Sequence, residues 1–142
     1  MKGQQGFTLL EVMIVVVIVA ILTAIAVPAY SEYVTRGRLA EAYATLGGQR
    51  VRMEQFYQDM RTYTGACTAG TVAPPMTDSD NFDYECDIAA DGQSYSLTAD
   101  GQNATAGFQF SVDQNNNRAT PSAPSGWTSN DTCWVRKKDG AC

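Results

Sequence analysis

The sequence predicts an α+β protein: one long N-terminal helix laid across a four-stranded antiparallel sheet, followed by a disulfide-bounded C-terminal loop. Three observations carry that expectation. An apolar run over residues 7–29 passes into a stripe of apolar residues repeating every seventh position. Beyond it, short stretches alternate apolar and polar residues between turn-forming dipeptides. All four cysteines, Cys67, Cys86, Cys133 and Cys142, fall after the helical region.

The apolar run comes first. From Val12 to Val27 the only polar side chain is Thr23, whose hydroxyl can bond back to a helix carbonyl. A helix from Phe7 to Ala29 would be roughly 35 Å long, enough to cross a bilayer core. Buried helices of soluble proteins rarely stay apolar on every face for so long. A cleaved secretory signal would put its small-residue cleavage site after the run, whereas here Gly6 precedes it. The segment therefore reads as a retained anchor. Glu11 is its anomaly, because an ionised carboxylate in hydrocarbon is costly and marks a functional site. Lys2 before the run places the extreme N-terminus in the cytoplasm by the positive-inside rule. The even number of cysteines independently puts the C-terminal part in an oxidising compartment.

The second half of the helix is amphipathic. Pro28 removes a donor and is expected to kink it. Leu39, Leu46, Met53 and Met60 then recur every seventh residue, with Ala42, Tyr43, Phe56 and Tyr57 beside them. That stripe is a core face waiting for a sheet. Gln49 interrupts its second seam, and Gly47-Gly48 is a weak point. Arg36, Arg38, Glu41, Arg50, Arg52 and Glu54 lie mostly off the stripe, on a solvated face suited to salt bridges between subunits.

Residues 62–81 are rich in Gly, Pro, Thr and Ser and read as a loop pinned by Cys67. Three alternating runs follow: Phe82, Tyr84, Cys86 and Ile88; then Tyr95, Leu97 and Ala99; then Phe108, Phe110 and Val112. They are bounded by Asp91-Gly92, Asp100-Gly101 and Asn115-Asn116-Asn117, which makes an antiparallel meander. A fourth strand is expected around Thr132-Cys133-Trp134-Val135, and residues 119–126 read as loop. The cysteines permit three pairings. The local one, Cys67–Cys86 with Cys133–Cys142, is preferred because both closures are sterically easy.

Composition narrows the chemistry. Ten Lys+Arg stand against fifteen Asp+Glu, an acidic balance that argues against a general nucleic-acid binder. With no histidine, neither a Ser-His-Asp triad nor the usual imidazole zinc site can form. No Gly-rich phosphate loop or paired carboxylates appear, so the chain reads as no enzyme, and no metal or cofactor is implied. Asp78, Asp80 and Asp83 lack the spacing of a calcium loop. Asn103-Ala104-Thr105 and Asn130-Asp131-Thr132 match a glycosylation sequon, a pattern short enough to arise by chance. Arg136, Lys137 and Lys138 sit between Cys133 and Cys142 with Trp134 close by. Such a cluster can hold phosphates and stack a base, or it can be merely a solvated face.

Gly6-Phe7-Thr8-Leu9-Leu10-Glu11, followed by the apolar run, closely resembles the class III signal of type IV prepilins and type II secretion pseudopilins. The resemblance implies a membrane-embedded prepilin peptidase that cuts between Gly6 and Phe7 and N-methylates Phe7, with Glu11 as the family's glutamate. It divides the chain into a leader (1–6), a transmembrane and filament-core half of the helix (7–29), an amphipathic half (30–61) and an exported domain (62–142). The pilin fold it implies agrees with the helix-on-sheet reading. Many type IV pilins resemble this chain in carrying a C-terminal disulfide-bounded loop, whereas pseudopilins more often lack cysteines. The implied partners are other pilin subunits, the peptidase, an inner-membrane platform protein and an assembly ATPase. The implied itinerary runs from inner membrane to extracellular pilus, serving adhesion, twitching motility or DNA uptake. Two alternatives share the architecture: a type II secretion pseudopilin, and a minor pilin that acts as DNA receptor in natural transformation. In the latter, Trp134, Arg136, Lys137 and Lys138 would touch DNA.

The charge at Glu11 gains a reason from that resemblance. Cutting after Gly6 creates a cationic amine on Phe7, four residues before Glu11. An opposite charge from its own helix or a neighbour removes most of the carboxylate's burial cost, so the pair can select axial register. Acids near a helix N-terminus are also favoured by the helix dipole.

Overall fold

A computed structural model describes residues 7–142. The leader, including Lys2 and Gly6, lies outside the described residues. A helix α1, Leu9–Met60, is followed by strands β1 (Phe82–Ile88), β2 (Tyr95–Gly101), β3 (Gln109–Asp113) and β4 (Arg118–Ser122). The chain divides into two units, Met1–Val34 and Thr35–Cys142.

In the first unit the helix opens on a cap. The Glu11 backbone N–H donates to Thr8 Oγ1 at 3.2 Å, so Thr8 satisfies a donor that the first turn leaves without a carbonyl. Thr8-Leu9-Leu10-Glu11 has the spacing of a capping box. Phe7 and the large apolar residues from Leu9 to Val27 are all exposed, as befits a surface made for lipid or for other helices. An 18-residue window there has a mean hydropathy of 3.0, long and apolar enough to cross a membrane. Thr23 bonds back to the Val19 carbonyl at 2.7 Å. The helix runs without interruption through Pro28.

In the second unit the helix buries Leu39, Ala42, Leu46, Gln49, Met53 and Phe56, alternating steps of three and four residues. Two expectations about this stripe need correction. Met60 is 62% exposed, because Arg61 adopts a left-handed φ of 59° and ends the helix there. Gln49, expected to interrupt the seam, is part of it: its Nε2 donates to the Pro74 carbonyl at 2.7 Å and so ties the following loop to the helix. Gly47-Gly48 remains helical.

The sheet is a four-stranded antiparallel meander in the order β1-β2-β3-β4. Cys86, Leu97 and Val112 are in register across the first three strands, and Tyr84, Ala99 and Phe110 form the next rung. These residues face the helix stripe and complete one core with Phe82, Tyr95 and Phe108. The opposite face carries Asp83, Glu85, Asp87, Asp100 and Asp113, with Asp83 directly across from Asp100. Asp91-Gly92 forms the expected turn. Gly92 has φ +65°, and a Cβ there would stand 2.3 Å from Thr64 Oγ1.

The fourth strand is not where the sequence suggested. Arg118–Ser122 pairs with β3, with a register shift between Gln109 and Ser111. Pro121 made this stretch look like loop, yet proline is tolerated on an edge strand. The irregularity frees the Thr120 backbone, which exchanges hydrogen bonds with Asn130 at 2.6 and 3.0 Å. Residues 132–135 make no ladder. They are strapped to β4 through the Thr120 side chain, which donates to the Cys133 carbonyl and accepts from the Val135 N–H.

Candidate nucleic-acid interface

The C-terminal loop is held from three directions. Cys133 and Cys142 are disulfide-bonded, as are Cys67 and Cys86, so both preferred pairings are present. The Arg136 N–H donates to the Ala141 carbonyl at 2.7 Å, and the Gly140 N–H donates to the Lys137 carbonyl at 3.1 Å. Asn130 Nδ2 donates to the Gly140 carbonyl at 3.0 Å. Finally, the Tyr43 hydroxyl donates to the Val135 carbonyl, which joins the loop to α1. Burial pushes the Tyr43 phenol well above its usual range, while the neighbouring Arg136 pulls weakly the other way.

Beneath the loop lies a column of planar groups. Trp134 stacks on Tyr43 at 5.4 Å with an interplanar angle of 8°, and Tyr43 meets Phe110 edge to face at 5.0 Å. The Arg118 guanidinium caps the other side of the indole, 4.5 Å from the ring centroid. Arg118 Nε also donates to Asn116 Oδ1.

This arrangement changes which residues could hold a phosphate. Trp134 is only 6% exposed and its Nε1 donates to the Ser111 carbonyl, so its ring is a packing element with no open face for a base. Arg136, Lys137 and Lys138 are exposed as the charge run suggested. Arg118 and Arg36 join them. One open groove of about 540 Å³ is lined by Arg36, Ala40, Tyr43, Arg136, Lys137 and neighbouring residues. A second, of about 310 Å³, is lined by Arg118, Cys133, Trp134, Arg136 and Cys142. Arg136 belongs to both and links them into one basic edge drawn from helix, strand and loop. Sequence reasoning missed Arg118 because its partner Trp134 lies sixteen residues away, across a strand pairing that no local pattern announces.

The other singled-out residues have structural roles. Asp78 accepts from the Tyr84 N–H at 2.8 Å, and Glu41 accepts from Asn81 Nδ2 at 2.8 Å. Asn103 Nδ2 donates to the Asp80 carbonyl at 2.8 Å.

Comparisons with known proteins agree with the fold and the N-terminal signal. The family described as type IV minor pilin ComP, DNA uptake sequence receptor, matches residues 28–109, and the prokaryotic N-terminal methylation motif matches residues 1–27. Among curated proteins, the chain is 43% identical to fimbrial protein EcpC of Eikenella corrodens, over 49% of this chain and 46% of that one. It is 45% identical to the type IV major fimbrial protein FimA of Dichelobacter nodosus, over 52% of this chain and 42% of that one. It is 40% identical to the type IV major pilin protein PilE1 of Neisseria gonorrhoeae, over 53% and 46%. The matched stretch thus spans under half the length of these relatives. A solved structure of a type IV pilin from Shewanella oneidensis shares the fold with a TM-score of 0.50 at 19% identity, covering 59% of this chain and 89% of that one. With a capped apolar helix leading into a disulfide-stapled helix-on-sheet domain, and a family match over more than half its residues, the chain belongs to the type IV pilins, structural subunits rather than enzymes.

Proposed function

We propose that this chain is a minor subunit of a type IV pilus whose exposed domain captures duplex DNA. It is cut between Gly6 and Phe7, N-methylated at Phe7, held in the inner membrane by residues 7–29, and drawn into the filament with Glu11 as its register contact. The platform protein and assembly ATPase act on it as on other pilins. The observation that carries the DNA reading is the basic edge formed by Arg36 of the helix, Arg118 of β4, and Arg136 and Lys137 of a loop that a disulfide and backbone hydrogen bonds hold together. The family match to a minor pilin described as a DNA uptake sequence receptor supports the same reading.

The physics is that of phosphate binding. Cations on a pre-ordered loop lose little entropy when they meet a phosphodiester, and each phosphate neutralised releases counterions. The acidic outer face of the sheet repels DNA and so restricts approach to the basic edge. Gel shifts of the full-length chain in detergent, across a salt series, test the proposal. Four phosphate contacts give a log–log salt slope of about −3.6, and replacing Arg136 and Lys137 with Gln reduces it to about −1.8. No shift at low salt removes the reading.

The alternative is an abundant major subunit, favoured by the names of the FimA and PilE1 relatives. Mass spectrometry of sheared filaments separates the two: a dominant species beginning at methylated Phe7 means a major pilin, and a trace amount means a minor one.

A further inference from the structure

We infer that the groove between Arg36, Arg136 and Lys137 binds the phosphate of an anionic lipid while the subunit is stored in the membrane. Three observations lead there. The apolar run ends at Ala29, and Tyr30 and Tyr33, which follow it, are 71% and 76% exposed. Exposed tyrosines at the end of a membrane segment sit at the headgroup level, with ring in the boundary layer and hydroxyl in water. Arg36 comes three residues after Tyr33, and three residues of chain reach at most about 10 Å. That distance is comparable to the headgroup layer itself. A basic groove containing Arg36 is therefore tethered within reach of the lipid phosphates of the leaflet facing the C-terminal domain.

The groove suits that ligand. Its cations come from two separate elements, helix and disulfide loop, so a phosphate can be gripped from two sides. Its remaining lining includes Ala40 and Tyr43, apolar surface compatible with a glycerol backbone. The negative charge of an anionic leaflet raises the local demand for such cations, and falls off within a Debye length.

The lipid site rests on this geometry and on the proposed membrane storage through residues 7–29, and it does not require DNA capture. Its consequence rests on the proposed DNA function: Arg136 cannot serve a lipid phosphate and a DNA phosphate together, so the stored subunit is silent toward DNA and becomes competent on extraction.

Native mass spectrometry of the full-length chain in detergent, titrated with phosphatidylglycerol or phosphatidylcholine, tests the site. Phosphatidylglycerol is expected to be retained at roughly tenfold lower concentration than phosphatidylcholine. Arg136→Gln with Lys137→Gln should weaken that retention by about tenfold to thirtyfold. Arg36→Gln, at an exposed position on the helix, should weaken it in the same direction by severalfold. Equal retention of both lipids, or retention unchanged in all variants, overturns the inference. Inorganic phosphate held as tightly as the lipid would also overturn it, since the site would then be one for a free anion. DNA binding by the same lipid-free sample is scored separately, so a failed gel shift with lipid selectivity intact removes the DNA reading and leaves this one standing.

Discussion

The Arg118 guanidinium lies 4.5 Å from the centre of the Trp134 ring, and that contact joins the edge strand to the C-terminal loop. Trp134 in turn stacks on Tyr43 of the helix. One stack thereby spans three elements, and it divides labour: the indole supplies packing and the guanidinium supplies charge. Replacing each residue should separate the two. Trp134→Ala removes a buried ring and should cost about 3–5 kcal/mol, read as a lower midpoint in denaturant. Arg118→Ala touches an exposed cation and should cost only about 0.5–1 kcal/mol, yet lower DNA affinity at low salt. An Arg118→Ala variant as unstable as Trp134→Ala would contradict this division.

The two disulfides should also behave differently. Cys67–Cys86 ties the loop after the helix to β1, whereas Cys133–Cys142 closes the loop that carries Arg136 and Lys137. Opening either by Cys→Ser pairs should cost about 2–4 kcal/mol. Only the Cys133→Ser, Cys142→Ser pair should reduce DNA binding at temperatures where both variants remain folded. Thermal melts beside gel shifts check this. Equal loss of binding in both variants would mean that stability, rather than loop geometry, governs the interaction.

Much of this architecture was legible in the sequence because its signals are local. The stripe from Leu39 to Phe56, the period-two runs of β1 to β3 and the Asp91-Gly92 turn each sit within a few residues of one another. The signal around Gly6 and Glu11 is likewise contiguous. The fourth strand was not legible, since Pro121 argues against a strand and only the edge position and the shifted register make it acceptable. Trp134 misled for a related reason. Beside three cations it resembled an exposed stacking platform, but the strap through Thr120 turns residues 133–135 inward. Arg118 and Arg36 entered the site only through tertiary packing, which places residues from distant parts of the chain on one edge.

Alkaline pH offers a test of the core. Tyr95 is buried and its hydroxyl is left without a hydrogen-bond partner. Burial first, then the nearby Glu54 carboxylate and the Tyr63 phenol, push its ionisation far above 10, with Arg50 opposing weakly. The raised value means that the folded chain holds its proton where the unfolded chain releases it. Stability is thus unaffected by this group below about pH 10 and falls as pH rises further, by at most about 1.4 kcal/mol per pH unit. Tyr95→Phe removes both the ionisation and the unpaired hydroxyl. Its denaturation midpoint at pH 7 should be equal to or above that of the parent, and its decline above pH 10 should be shallower. A parallel decline would show that Tyr95 does not ionise on unfolding in this range.

The last prediction concerns Glu11. Its backbone N–H is held by Thr8, a contact that Glu11→Gln leaves in place, so that substitution tests the charge. Glu11→Gln keeps size and hydrogen-bonding capacity but removes the charge that an N-terminal amine would meet. The proposed cleavage falls between Gly6 and Phe7, a junction the substitution leaves alone, so the mature chain should still begin at methylated Phe7 by mass spectrometry. Incorporation should fail instead, because a helix without its carboxylate gains nothing by sliding to the register where an amine waits, and other registers bury the same apolar surface. The share of this subunit in sheared filaments should fall by about tenfold or more, the equivalent of about 1.4 kcal/mol. Glu11→Asp, which keeps the charge on a shorter arm, should recover part of it. Undiminished incorporation of the Gln variant would show that apolar packing alone sets the register.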